Sequence, residues 1–495
     1  MSTIVIQSVD HYQYHRQAFE VDQSSLGTDF LQLRPADAPP KGLTTWLAGA
    51  IRTAIDDGRL PAGQRLPATR ELAQELRISR GVVVEAFRRL TDEGVVTARA
   101  GVGTVVTPLT ASPESGQPTT DPAVPLLPQR PTALVDLSPG VPDLSLFPRA
   151  MWLRAERAVL ASAGPTDLGY GDPRGAPVLR QEVAGWLARS RGIRADPDDI
   201  IIVAGVAQAL ALLARVLRAA GTTTIGMEDP GSRGARDQLA HWGLTPEPVP
   251  VDDHGLRVTD LVASGLRNVF VTPAHQFPTG VVMTPDRRRA LLDWAAGDGL
   301  VIEDDYDAEY RYDRAPVPAL KASAPDRVAY AGSTSKTLAP GMRLGWLLPP
   351  RRLYEQLVVA KHASDLGSPA IPQLVFARML ATGEFARHVR LVRARHKARR
   401  DALLTALRQE LPFSRVRGAA AGLHLMIQLP DLAGMADTDL VDKVRAAGVL
   451  VHPLSWHRQR PGVPGFVIGY AAHPPGRLRD AAKRIAAIVQ PLRAS

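Results

Sequence analysis

Lys336 lies in Ser333-Thr334-Ser335-Lys336-Thr337, and Arg343 follows seven residues later in Gly341-Met342-Arg343-Leu344-Gly345. About thirty residues upstream runs Glu303-Asp304-Asp305-Tyr306-Asp307. These residue types could hold an aromatic aldehyde that carries a phosphate. A lysine amine condenses with the aldehyde as a Schiff base. A carboxylate at Asp304 keeps a pyridine nitrogen protonated, which makes the ring an electron sink. The phenol of Tyr306, two residues on and on the same side of an extended backbone, reaches a ring hydroxyl. Ser333 offers the phosphate a hydroxyl, and Arg343 a bidentate guanidinium. Gly205-Val206-Ala207-Gln208 opens a helix, whose free amides at Val206 and Ala207 suit the same phosphate. The ligand so described is pyridoxal phosphate (PLP). Taken singly, each feature has a plainer reading: a solvated acidic loop, a surface ion pair, an ordinary strand-to-helix turn. Their joint order along the chain is what selects the cofactor.

The elements that must position these groups are also legible. From Val135 onward, short apolar runs alternate with helical stretches. Ile200–Val203, Asn268–Val271, Leu300–Ile302 and Val328–Tyr330 read as strands, and Gln208–Leu217 as a helix. Such alternation predicts an α/β body with a mostly parallel sheet. Asp304 then falls just after the strand Leu300–Glu303, where open sheets place their ligand crevice. Residues 108–133, PLTASPESGQPTTDPAVPLLPQRPTA, have linker composition. They separate a small module at 41–107 from the cofactor body at 134–495. Residues 1–40 read as an N-terminal arm.

The chain has 495 residues, 45% of them hydrophobic and 22% charged, enough for more than one globular domain. Cysteine is absent, which excludes disulfides and thiolate metal sites. No signal-like apolar core or membrane-length apolar run occurs, so the expectation is a soluble cytoplasmic protein with no membrane partner. A net charge of +9 and a pI near 10.0 favour a polyanionic partner, although arginine-rich composition alone produces the same numbers.

Within 41–107, Leu47, Ile51, Ala54 and Ile55 predict a helix over roughly 43–57, stopped by Gly58 and Pro61. Leu72, Ala73 and Leu76 mark a second helix. Ser79 caps a third, with Val83, Phe87 and Leu90 on its inner face. Val95–Thr97 and Thr104–Val106 flank a glycine-containing hairpin that reads as a wing. The third helix would present Arg80, Val84 and Arg88 outward. Ser79, Arg80 and Gly81 would lead into a major groove, with Arg70 near phosphate. The plainer reading is a small helical domain with solvated arginines.

The detailed spacing resembles the winged helix of GntR-type repressors: Leu60-x-x-Gly63-x-x-Leu66-Pro67-x-x-Arg70-Glu71-Leu72-Ala73, Ile78-Ser79-Arg80, Glu93-Gly94 and Gly101-x-Gly103-Thr104. The resemblance implies binding of double-stranded operator DNA through Arg70, Ser79, Arg80 and the wing at Gly101. Two positions depart from the family: Ala68 replaces the usual capping serine, and Val82 the usual threonine. Val82 can touch a thymine methyl but donates no hydrogen bond.

The order Asp304, Tyr306, Ser333, Lys336, Arg343 resembles fold-type I aminotransferases. Together with the winged helix, the chain from about Leu43 onward resembles the MocR subfamily of GntR regulators. Ser138-Pro139-Gly140-x-Pro142-Asp143, Tyr170-Gly171-Asp172-Pro173-x-Gly175 and Thr272-Pro273-Ala274-His275-Gln276-Phe277-Pro278-Thr279-Gly280 carry the same resemblance. It implies a mixed, mostly parallel sheet with a smaller C-terminal α+β subdomain. It implies that Lys336 carries PLP, that Asp304 and Tyr306 meet its ring, and that Ser333 and Arg343 hold its phosphate. His275 joins this cofactor set. Tyr170 is expected to reach the phosphate of a neighbouring subunit, which implies a homodimer, commonly domain-swapped.

Departures from the aminotransferase pattern bear on function. Val467 stands where an arginine clamps a substrate carboxylate, a loss of about 2–5 kcal/mol of ligand binding. Ser232 replaces a ring-stacking aromatic, Gly234 stands where an effector arginine would, and Ala207 replaces a glutamine. The expectation is therefore a PLP-dependent transcriptional regulator, not an enzyme, with PLP itself as effector and vitamin B6 synthesis genes as targets. The alternatives are a regulator that senses an amino compound such as GABA, taurine or an alanine isomer through PLP, and a working aminotransferase with a DNA-binding appendage.

Overall fold

The computed structural model describes residues 33–99, 103–107, 135–312 and 317–493. Most of the arm, the whole linker and Gly101 lie outside them. The chain divides into two compact units, Met1–Gln129 and Arg130–Ser495.

In the first unit, helices Leu43–Asp56, Thr69–Glu75 and Arg80–Asp92 pack around Leu47, Ile51, Leu72, Val83, Phe87 and Leu90, all buried. The apolar spacing in the sequence is what lets one face of each helix enter this core. Ser79 caps the third helix by accepting from the Val82 amide. At the second helix the capping box is half kept, because Glu71 still accepts from the Ala68 amide, although Ala68 has no side-chain oxygen to return the bond. Strands Val96–Arg99 and Gly103–Val106 form the antiparallel wing.

The second unit is built on an eight-stranded sheet. Its order is Ile201–Val203, Gly345–Leu348, Val328–Ser333, Leu300–Asp305, Asn268–Val271, Thr224–Asp229, Thr245–Asp252, Gly255–Leu256. The five strands from Val328–Ser333 to Thr245–Asp252 are parallel to one another. Gly345–Leu348 runs antiparallel to both of its neighbours, and Gly255–Leu256 is antiparallel at the far edge. Helices cover both faces, and the inner strands are accordingly buried along most of their length, whereas Thr245–Asp252 near the edge begins with alternating exposed and part-buried residues. A smaller antiparallel sheet, Arg415–Arg417, His424–Gln428, Gly465–Gly469 and His452–Pro453, packs with helices Glu384–Glu410, Asp437–Ala446 and Pro475–Val489.

Several boundaries differ from expectation, among them that of the strand placed at Val328–Tyr330, which runs on to Ser333. The helix placed at Gln208–Leu217 runs Val206–Ala219, because Gly205 at φ 88° turns the chain straight into it. The strand placed at Ile200–Val203 begins at Ile201. Leu300–Glu303 continues to Asp305, since Asp304 and Asp305 pair with Ala331 and Gly332. No helix among the described residues is long and apolar enough to cross a membrane.

Candidate cofactor site and DNA-reading face

Strand ends and one helix start converge on a cavity of about 300 Å³. Its wall includes Lys336, Asp304, Tyr306, Ser333, Arg343, Val206 and Ala207. Seven of the nine residues expected to bind the cofactor are thus brought together. Lys336 follows the strand Val328–Ser333, and Asp304 comes from the adjacent parallel strand. The amine and the carboxyl therefore face one space because their strands are neighbours.

At one end of the cavity, the helix Val206–Ala219 begins beside Arg343. A Cβ on Gly205 would stand 3.5 Å from the guanidinium, so glycine leaves that group room to approach the helix start. Arg343 itself adopts the left-handed conformation at φ 50°. The Ser333 hydroxyl donates to Ser335 at 2.8 Å and receives the Ser335 amide at 3.0 Å. Hydroxyls, free helix amides and a guanidinium together make an anion cup.

At the other end, burial pushes the Asp304 carboxyl up to about 8, with Asp305 and Asp307 adding to the shift. Asp304 keeps a little exposed surface, which faces the cavity, while its Oδ1 is shielded from water and has no hydrogen-bond partner. Such an oxygen demands a donor. Burial also lowers the affinity of Lys336 for its proton, opposed by Asp307 and Asp304, which favours the nucleophilic amine. Its Nζ donates to the Gly140 carbonyl.

Two expected cofactor residues are not in the cavity wall. His275 is buried behind Tyr306, with Nδ1 at 3.1 Å from the Tyr306 hydroxyl and 2.9 Å from Asp307 Oδ2. It hydrogen-bonds the tyrosine instead of lining the cavity, where Phe277 stands in the wall. Tyr306 donates to the His275 carbonyl at 3.1 Å. Tyr170 is 93% exposed and touches nothing of this cavity. Conversely, Ser335, Thr272, Phe277 and Gly140 line the cavity without having been singled out as binding residues. Ser335 was findable from its hydroxyl beside Lys336. The others required the tertiary fold.

The altered aminotransferase positions are also placed. Val467 is fully buried against Met426 and Leu454. Ser232 lines the cavity and caps the helix Arg233–His241. Arg233 is tied to Asp237 at 3.3 Å and lies over Trp456. Apart from Lys336, the only cation in the cavity wall among the described residues is Arg343.

On the first unit, Arg70, Ser79, Arg80, Gly81 and Val84 are all exposed, the last at 46%. Arg80 reaches back to Thr69. Arg88, expected on the same face, is engaged by Glu85 at 2.7 Å and Asp92 at 2.6 Å.

PLP fits this cavity on the structure's own terms. The unpartnered Asp304 oxygen needs a donor such as a protonated pyridine nitrogen, the amine needs an aldehyde, and the anion cup needs a phosphate. Fold and site together define a PLP-dependent transcriptional regulator, in which an aminotransferase-type domain is joined to a winged-helix DNA-binding domain. Residues 132–485 match the family model "Aminotransferase class I and II", and residues 43–106 match "Bacterial regulatory proteins, gntR family". The chain belongs to the MocR-type GntR regulators. It is 34% identical over 447 residues to the HTH-type pyridoxine biosynthesis transcriptional regulator PdxR of Corynebacterium glutamicum, covering 89% of this chain and 94% of that one. It is 30% identical over 470 residues to the probable rhizopine catabolism regulatory protein MocR of Rhizobium meliloti, covering 90% and 93%. Among solved structures, the Pyrococcus horikoshii kynurenine aminotransferase in complex with PMP superposes with a TM-score of 0.67 at 27% identity, covering 73% of this chain and 92% of that one.

Proposed function

We propose that PLP is itself the effector, and that the genes under control serve vitamin B6 synthesis. One observation carries this reading. The cavity wall offers one guanidinium for a phosphate, Arg343, and one amine for an aldehyde, Lys336, and among the described residues no further cation for an amino-acid carboxylate. The buried Val467, at the clamp position, supports it. So does the likeness to PdxR, whose name is that of a pyridoxine biosynthesis regulator.

In this reading Lys336 binds the aldehyde carbon, Asp304 holds the proton on the ring nitrogen, and Tyr306, oriented by His275, meets the ring oxygen. Ser333, Arg343 and the amides of Val206 and Ala207 hold the phosphate. When bound, PLP supplies an electrophilic carbon and an electron-sink ring. Residues 41–107 read DNA, 108–133 tether them, and 134–495 form the effector and dimerisation domain. The exposure of Tyr170 supports a domain-swapped homodimer in which each tyrosine completes its partner's site. Without a carboxylate clamp the chain works as a cytoplasmic regulator and not as a transaminase.

The test is operator binding by the purified protein with and without PLP, beside absorbance in the near ultraviolet and Lys336→Ala. PLP alone should yield a borohydride-fixed adduct at Lys336 and shift operator affinity. A shift that requires an added amine would replace this reading with an amino-compound sensor. Steady keto-acid production would replace it with an aminotransferase.

A further inference from the structure

A second cavity, of about 440 Å³, lies between the edge of the large sheet and the small C-terminal sheet. Pro250–Asp253 and Asp229-Pro230 line one side. Arg417, Met426 and Gln428 line the other, and the loop Arg458–Gly462 closes it. None of these residues belongs to the wall of the cofactor cavity.

The wall holds three carboxylates, Asp229, Asp252 and Asp253, and three guanidiniums, Arg417, Arg458 and Arg460, but they are not all paired with one another. Arg417 is paired with Asp253, and Asp252 with Arg287 at 3.0 Å. Asp229 accepts from the Gln459 amide at 2.8 Å. Arg458 and Arg460 have no carboxylate within ion-pair distance among the described residues. Arg458 spends one N–H on the Val463 carbonyl at 2.6 Å, and Arg460 one on the Pro248 carbonyl at 3.2 Å. A guanidinium carries five N–H donors, so most of this capacity is unspent. Arg458 is only partly exposed and sits tight under Gly462, where a Cβ would stand 2.6 Å from its Nη1. A half-buried guanidinium that Asp437 and Asp229 oppose only from beyond ion-pair distance is costly, and burial lowers its hold on its proton against their pull. An anion between the two guanidiniums would remove that cost.

The same loop is bolted to the cofactor site. The Gly231 amide donates to the His457 carbonyl at 2.7 Å, and Arg236 to the Trp456 carbonyl at 2.9 Å. Asp229-Pro230 faces the second cavity, and two residues later Ser232 lines the first. One short segment is therefore shared by both walls.

We propose that this second cavity is a regulatory anion site, in which Arg458 and Arg460 hold a small dianion, a phosphate or a dicarboxylate, and adjust the cofactor site through Asp229–Ser232. Such a ligand would give the regulator a second input, separate from PLP.

Calorimetric titration of the PLP-saturated full chain, in chloride buffer of matched ionic strength, tests this with inorganic phosphate in one arm and succinate in the other. Saturating PLP first fills the cofactor's own phosphate cup. The expected result is saturable binding in at least one arm, and the arm that binds identifies the class of dianion. Arg458→Gln and Arg460→Gln should each weaken binding about tenfold or more, since each removes charge-assisted hydrogen bonds. Arg460 is exposed, so its variant remains informative even if Arg458→Gln misfolds. Absence of saturable heat in both arms, or equal binding by the Arg460 variant, overturns the proposal.

Discussion

The Nζ of Lys336 donates a hydrogen bond to the carbonyl of Gly140, 196 residues upstream. Gly140 lies four residues beyond the strand Val135–Asp136, which pairs in parallel with Val449–Leu450. The first residues of the effector unit after the linker thus run from the small subdomain to the reactive amine. A lysine bonded to a cofactor cannot keep an ammonium on that carbonyl. Loading the site therefore changes a contact made by the segment next to the tether.

Gly140 has φ 78°, and a Cβ there would stand 3.1 Å from Lys336 Nζ. Gly140→Ala should cost about 1–2 kcal/mol of backbone strain and crowd the amine. PLP affinity, read from a near-ultraviolet titration, is expected to fall about tenfold. Unchanged affinity would show that Gly140 has no bearing on the reactive amine.

Asp304 sets a pH dependence whose sign can be worked out. Burial raises its carboxyl from 3.8 to about 8, and raises those of Glu228 and Glu309 from 4.5 to about 7. Across that window the folded protein holds more protons than the unfolded chain, so stability falls as pH rises. Buried His396 and His457, depressed from 6.5 to about 3, act in the opposite sense, but only below 6.5. The cofactor-free melting temperature should therefore drop between pH 6.5 and 8. Asp304→Asn should flatten the drop, and so should saturation with PLP, because a pyridinium compensates the ionised carboxylate. A pH-independent melt over this range contradicts the assignment.

Arg343 stands at the start of the helix Val206–Ala219, next to Gly205. Removing its charge-assisted bonds costs about 1.5–3 kcal/mol. Arg343→Gln should weaken PLP about 10- to 100-fold while leaving the fold intact by circular dichroism. The same change should leave pyridoxal, which lacks the phosphate, nearly unaffected.

On the DNA side, Arg80 and Arg88 should behave differently although both lie on one helix. Arg80 has no acidic partner among the described residues, whereas Arg88 is held by Glu85 and Asp92. Arg80→Ala should weaken operator binding and reduce the salt slope by about one. Arg88→Ala should do little. Equal losses, measured by fluorescence anisotropy across a salt series, would mean that the ion pairs of Arg88 give way on DNA.

Much of this protein is legible without coordinates, and particular residues show why. Lys336, Asp304 and Arg343 were readable because strand ends and turn residues impose local order on the chain. The helix starting at Ser79 was readable because a cap and an apolar face are short-range features. His275 stands behind Tyr306 instead of in the cavity wall, and Tyr170, expected to serve a neighbouring subunit, is exposed. Which way a side chain points after a turn, and whether a residue serves its own chain, depends on distant packing. The contact of Lys336 with Gly140, the orphan oxygen of Asp304 and the unpaired Arg458 and Arg460 leave no mark in spacing.

The order and chemistry of the residues alone therefore determined the two modules and the cofactor class, since periodicity and local sterics act over a few residues. Only the folded chain decided which of those groups share one cavity and where charge is left uncompensated. Parallel strands bring residues far apart in sequence within hydrogen-bond reach, and burial then sets the cost of each polar atom left without a partner.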